Sequence, residues 1–175
     1  MKKLKDLEKY ETVLIRMEKS RFWKKVVMDI FKSIKNKPTI YISLVAPYKF
    51  LYPLLKKINF EVKNVYIIDC ITKSVSSIIR KEKNIFCVDN PADLTSLAIC
   101  IGQFLEAIEG KKFILIDSFR ILTLYNDEKV VKMFMKVILE KAAKNNATTI
   151  LLIPEKDYVL WKNTLDKKFK KIIKY

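Results

Sequence analysis

Phe113 to Ser118 reads FILIDS, an apolar strand ending in Asp117, and a carboxylate in that place is where many nucleotide-hydrolysing folds hold magnesium. Hydrolysis needs more than one metal ligand. Phosphate is gripped by a glycine-rich turn whose backbone N–H groups wrap its oxygens, closed by a lysine and a hydroxyl. The chain has only two glycines, Gly102 and Gly110, and neither stands in such a turn. Two further apolar runs end in Asp69 and Asp89, so three strand ends carry an acid. Ligands of open parallel sheets bind beyond the carboxyl ends of the strands, which would bring these acids to one rim. An aspartate after a strand also starts turns and caps helices, and that is the role expected of Asp69 and Asp89.

Metal chemistry has few ligands to draw on. Histidine is absent, and Cys70, Cys87 and Cys100 form no CxxC pair, so neither a zinc nor an iron–sulfur site is expected. Apolar neighbours flank each cysteine, which reads as three buried, reduced thiols.

Six apolar, β-branched runs position these residues: 12–17, 39–45, 64–69, 84–89, 112–117 and 148–153, with KIIKY at the end of the chain as an edge strand. Most are nearly continuous in apolar residues, as strands covered on both faces of a parallel sheet must be. Helices are predicted between them. Ser20 is placed to cap a helix over 21–35 that buries Phe22, Val26, Ile30 and Ile34 at four-residue spacing, with Trp23, Val27 and Phe31 beside them. Pro47 opens a short helix to about residue 57. Asn90, Pro91 and Asp93 read as N-cap, first turn and third position of a helix that stops at Gly110. A helix over 127–144 should bury Val130, Val131, Phe134, Val137 and Ile138, and a last one begins near Glu155. Alternation of this kind gives an α/β fold, a three-layer sandwich with a mainly parallel sheet flanked by helices.

The 175 residues suit a single domain over 1–175, with the first ten or so residues expected to be flexible. Half the residues are apolar and 31% are charged, a globular balance. No apolar run approaches the ~20 residues that span a bilayer, and MKKLKDLEKY lacks the apolar stretch of a signal peptide, so a cytoplasmic protein without a membrane span is expected. A net charge of +16 attracts nucleic acid or an anionic surface. The excess is nearly all lysine, with arginine only at Arg16, Arg21, Arg80 and Arg120 and the densest run at Lys167, Lys168, Lys170, Lys171 and Lys174. Diffuse lysine supports nonspecific phosphate contact without base readout.

Four stretches in order, VLIRMEKSRFWKKVVMDIF, YISLVAPYKFLYPLL with VYIIDC, FILIDSFRILTLYNDEKVVKMFMKVILEKA, and ATTILLIPE, resemble the RecA-like ATPases of the KaiC type, especially the shortened archaeal versions. The resemblance runs from about Thr12 to Glu155 and implies a RecA-like P-loop NTPase fold. It sets Lys19 and Ser20 where the phosphate-binding lysine and the magnesium-binding hydroxyl would stand, and Asp117 and Ser118 at the Walker B position. The loop before Lys19 is Arg16, Met17 and Glu18, without glycine and with a negative charge facing the phosphate position. The family's water-activating acid follows the second strand, where this chain has Leu44, Val45 and Ala46; none can accept a proton. The receiver fold of phosphorelay proteins also uses aspartates at strand ends, but it needs an acidic pair after the first strand and a lysine after the fifth. Here the first strand ends RME, and Lys156 follows Pro154 and Glu155.

The expectation is therefore a catalytically inactive RecA/KaiC-like protein with no catalytic residue, no resident metal and no cofactor, acting through a protein partner or as a homo-oligomer. Weak ATP binding or hydrolysis with magnesium at Lys19, Ser20, Asp117 and Ser118 is the first alternative. Nonspecific nucleic-acid binding is the second.

Overall fold

Runs rich in valine, isoleucine and leucine make the strands. In the structure, a computed structural model describing residues 4–75 and 84–175, these are β1 (Thr12–Met17), β2 (Thr39–Ser43), β3 (Val65–Asp69), β4 (Ile85–Cys87), β5 (Lys112–Ile116), β6 (Ala147–Pro154) and β7 (Lys171–Lys174). Arg80 lies outside the described residues. Every neighbouring pair is parallel, and the order across the sheet is β4-β3-β2-β5-β6-β1-β7. The four long central strands are buried throughout apart from Arg16, which explains why their sequences show no polar alternation.

Side-chain alternation then decides which helices each residue meets. Leu14, Ile40, Ile114 and Leu151 join one core, and Val13, Ile15, Phe113 and Leu152 join the other. The first core is closed by α4 (Leu94–Ala107), α5 (Phe119–Tyr125), α6 (Glu128–Lys144) and α7 (Glu155–Leu165). The second is closed by α1 (Trp23–Ile34) and α2 (Leu51–Lys57). The helical turn α3 (Thr72–Val75) follows β3. The α/β three-layer sandwich expected from the sequence is thus the observed fold, with the last four-residue strand on the edge beside β1. Lys112 is buried at the start of β5 and donates to the carbonyls of Leu105 (3.3 Å) and Asn145 (2.8 Å), tying the ends of α4 and α6 to the sheet.

Several boundaries differ from expectation for identifiable reasons. Ser20 does not cap α1: a single 3-10 turn, Ser20–Phe22, intervenes, and neither it nor α1 has a side-chain cap. Phe22 is 38% exposed as a result. At α4 the cap is Asp93, which accepts from the Ser96 N–H at 3.0 Å, while Asn90 accepts from Ala92 in the preceding turn. α4 ends at Ala107, and Gly110 supplies a left-handed turn with φ 71° before β5. On α6 the sheet-facing stripe is Val131, Phe134, Met135, Ile138 and Ala142, so Val130 and Val137 are exposed instead of buried. Leu4 and Leu7, inside the segment expected to be flexible, are buried in the α1/α2 core. Among the described residues no helix is long and apolar enough to cross a membrane.

Candidate functional site

The carboxyl ends of the parallel strands share one rim, and there β5 delivers Asp117 and Ser118 while β1 delivers Glu18, Lys19 and Ser20. Because β6 lies between β1 and β5, the two groups are set about 10 Å apart by strand spacing alone.

Asp117 is 0% exposed. Its Oδ2 accepts from the Tyr41 hydroxyl at 2.8 Å and its Oδ1 from the Leu44 N–H at 2.9 Å. Burial pushes its carboxyl up to about 7, against the opposing pull of those donors and with a further push from Asp69. Burial and the same carboxylate raise Tyr41 in turn. Ser118, extended at φ −159°, is the N-cap of α5, its Oγ accepting from the Ile121 N–H at 3.4 Å. A buried carboxylate needs such partners, and both come from β2 and its following loop.

Asp69 holds the other end of that loop. It is fully buried and accepts from the N–H groups of Tyr48 (2.5 Å), Ile71 (2.8 Å) and Thr72 (2.7 Å) and from the Thr72 hydroxyl (2.8 Å). This is the turn-starting role expected of it. The Leu44 to Tyr48 segment is therefore pinned at both ends by carboxylates from β5 and β3, and the Ser43 hydroxyl donates to the Ala46 carbonyl at 2.5 Å between them. Leu44, at the position where the resemblance implies a water-activating acid, is 1% exposed in the core. Asp89 is exposed and pairs with Lys73 at 2.6 Å. The three strand-end acids do not line one open rim: two are interior clamps and the third is a surface ion pair.

Lys19 and Ser20 are exposed. Lys19 is extended, and its carbonyl accepts from the Phe22 N–H at 3.0 Å. Tyr175 runs alongside, its N–H donating to the Arg16 carbonyl (2.8 Å) and its carbonyl accepting from the Glu18 N–H (3.3 Å). Across the sheet, Arg16 grips both oxygens of Glu155, with Nε at 3.0 Å from Oε2, and lies 3.9 Å over the Tyr158 ring. That contact lowers Glu155 and raises Arg16. Arg120 reaches Oδ1 of Asp157 at 2.7 Å, leaving Oδ2 of Asp157 buried without a partner among the described residues.

The structure thus brings Asp117 and Ser118 together and leaves Lys19 and Ser20 apart from them on the surface. Cavities among the described residues lie elsewhere. One, of about 370 Å³ and lined by Leu4, Glu8, Lys32 and Phe113, opens at the opposite end of the sheet; another, of about 300 Å³, lies by Phe86, Cys87, Asp93 and Cys100. None of the four candidate residues lines either cavity. Cys70 and Cys100 are buried free thiols as expected and Cys87 is half-buried; burial raises all three thiols. The residue that sequence reasoning missed is Tyr41, whose hydroxyl holds Asp117; its one polar tip within an apolar strand was the available signal.

Residues 54–174 match the model of a family described as "Family of unknown function (DUF7090)". No curated protein matches the chain. A solved structure, the structural study of Project ID PH0250 from Pyrococcus horikoshii OT3, is similar over 94% of this chain and 81% of that one, with a TM-score of 0.52 and 14% identity. A likeness at that identity shows the shared α/β fold.

Proposed function

The chain belongs to the DUF7090 family, a family of unknown function, and from that premise we propose that it is a non-hydrolysing domain of RecA/KaiC-like ancestry that works by binding protein, as a homo-oligomeric scaffold. The observation that carries this reading is Asp117. With no exposure and both oxygens held by Tyr41 and Leu44, it meets no solvent through which hydrated magnesium could approach. Its free energy is spent on fixing the loop after β2. The absence of glycine before Lys19 and of an acid after Ser43 removes the phosphate cradle and the water-activating base.

The surface that fits the binding role is the outer side of α5, α6 and α7. Leu124, Tyr125, Met133, Val159 and Leu160 are more than half exposed there, a grouping that marks a protein contact. The occupant we favour is a second copy of the chain. Residues 119–165, which span α5 to α7, hold eight basic and five acidic residues, only +3 of the +16, so two copies meet here with less repulsion than at the α1/α2 side.

The test has two arms. Purified protein incubated with ATP and magnesium should release phosphate no faster than the Lys19→Ala and Asp117→Ala variants. Magnesium-dependent turnover that disappears in both variants would overturn the reading. Sedimentation equilibrium should find an oligomer that Met133→Glu with Leu160→Glu converts to monomer; a wild-type monomer at every concentration would remove the self-association.

A further inference from the structure

Charge is divided very unequally along the chain, and most of the surplus falls on the α1/α2 side of the sheet and its β7 edge. Residues 1–63 and 167–175 hold 21 of the 35 basic residues and six of the 19 acidic ones, leaving +15 of the +16 on that part of the chain. The helices of this part, α1 and α2, cover the same side of the sheet, and its last strand, β7, is the adjoining edge. All six acids of this part are already engaged: Asp6 with Lys9, Glu8 with Lys37, Glu11 with Lys170, Glu18 with Lys174, Asp29 with Lys32 and Glu61 with Lys63. Among the described residues Lys19, Arg21, Lys24, Lys25, Lys49 and Lys56 form no ion pair and are exposed on the same side. A surplus with no internal acid to meet attracts an external polyanion.

Aromatic rings interleave these cations. The Arg21 guanidinium stands 5.4 Å from the Phe22 ring centroid, Lys24 6.0 Å from Trp23, Lys25 5.8 Å from Tyr175 and Lys49 5.7 Å from Phe50. Phe22 is 38% and Phe50 49% exposed. Their positions coincide: Phe22 and Trp23 follow β1, Phe50 follows β2 and Tyr175 ends β7, so all four rings sit at the carboxyl rim of the sheet, on or beside the α1/α2 face. Cations that track a phosphate backbone, set beside rings on which unpaired bases can stack, are the elements of single-strand binding. A duplex has no free base faces to offer those rings. A membrane is also less suited, because the apolar stripe of α1, Val26, Val27, Ile30, Phe31 and Ile34, is buried in the core and is not available to enter the acyl region.

We propose that the α1/α2 face, with the β7 edge, binds single-stranded nucleic acid through phosphate contacts from Lys19, Arg21, Lys24 and Lys49 and base stacking on Phe22 and Phe50. This goes beyond self-association and does not depend on it, since the oligomer surface lies across the sheet.

The test titrates labelled oligothymidylate and a duplex of equal length with the full chain over a salt series, with flotation of vesicles of phosphatidylcholine and phosphatidylglycerol in parallel. Oligothymidylate should bind more tightly than duplex, with log affinity falling linearly against log salt. Reversing Lys19, Arg21, Lys24 and Lys49 to Glu should weaken it by about tenfold or more. Phe50→Ala should weaken the single strand about fivefold and leave the duplex unchanged. Lys136→Glu with Lys144→Glu, on α6, should change affinity by less than about twofold, and thermal melts should show every variant folded. Absence of binding at low salt, equal losses from the α6 pair, preference for duplex, or vesicle binding without oligonucleotide binding would each overturn the proposal. A wild-type chain that stays monomeric at every concentration yet binds oligothymidylate would sink the scaffold reading and leave this one standing.

Discussion

Two ends of one implied site have gone opposite ways. At the end of β5, Asp117 is sealed in the interior and bonded to β2 and its loop; at the end of β1, Lys19 and Ser20 stand in solvent on a turn that caps nothing. A polar residue enclosed by the sheet becomes part of its architecture, because leaving its partners unsatisfied is costly. The same kind of residue left outside carries no structural obligation, and its surroundings are free to become basic and aromatic. Position relative to the core, more than residue type, separates the two.

The largest effect that sharpens this contrast should come from Asp117→Ala. It strands the Tyr41 hydroxyl and the Leu44 N–H in the core, and urea denaturation should report a loss of about 2–5 kcal/mol; a loss no greater than that of Lys19→Ala would break the comparison. Next comes pH. Asp117 is pushed up to about 7 in the fold against 3.8 for an ordinary aspartate, so the folded state binds the extra proton. That contribution is fully present below about pH 4 and is lost as pH rises through about 7. Denaturation midpoints followed from pH 4 to pH 7 should show this falling component in wild type and its removal in Asp117→Asn; identical slopes would contradict it. Tyr41→Phe, which removes one of two donors to Asp117, should cost about 1–2 kcal/mol, read by thermal unfolding. Smallest of all, Lys19→Ala with Ser20→Ala should stay within about 0.5 kcal/mol of wild type, and a larger shift would give the β1 turn a structural role.

Much of the fold was legible because burial on both faces writes itself into a strand as a nearly continuous apolar and β-branched run, as in Thr12–Met17 and Ala147–Pro154. Asp117 as a notable strand end was legible for the same reason. Its partner was not, since Tyr41 lies 76 residues away and no local pattern links them. α6 carries two apolar stripes, Val131 with Phe134 and Ile138, and Val130 with Met133 and Val137; only the sheet beneath decides which is core. α5 was hidden because its seven residues bury only Phe119 and Leu122, too short for a helical period to show. The charge imbalance is written in the sequence, but it becomes a surface only once topology puts α1 and α2 on one side.

The strand order also bears on how the molecule is made. β1 is paired on both sides by β6 and β7, the last two strands. Throughout synthesis the first strand therefore waits as an apolar segment without hydrogen-bonding neighbours, while β2, β3 and β4 already have all but one of the neighbours they need. Closing the sheet joins residues as far apart as Thr12 and Lys168, contacts of high sequence separation that fold slowly. The protein is consequently most exposed to misassembly and to chaperone capture in the interval before residues 147–174 emerge.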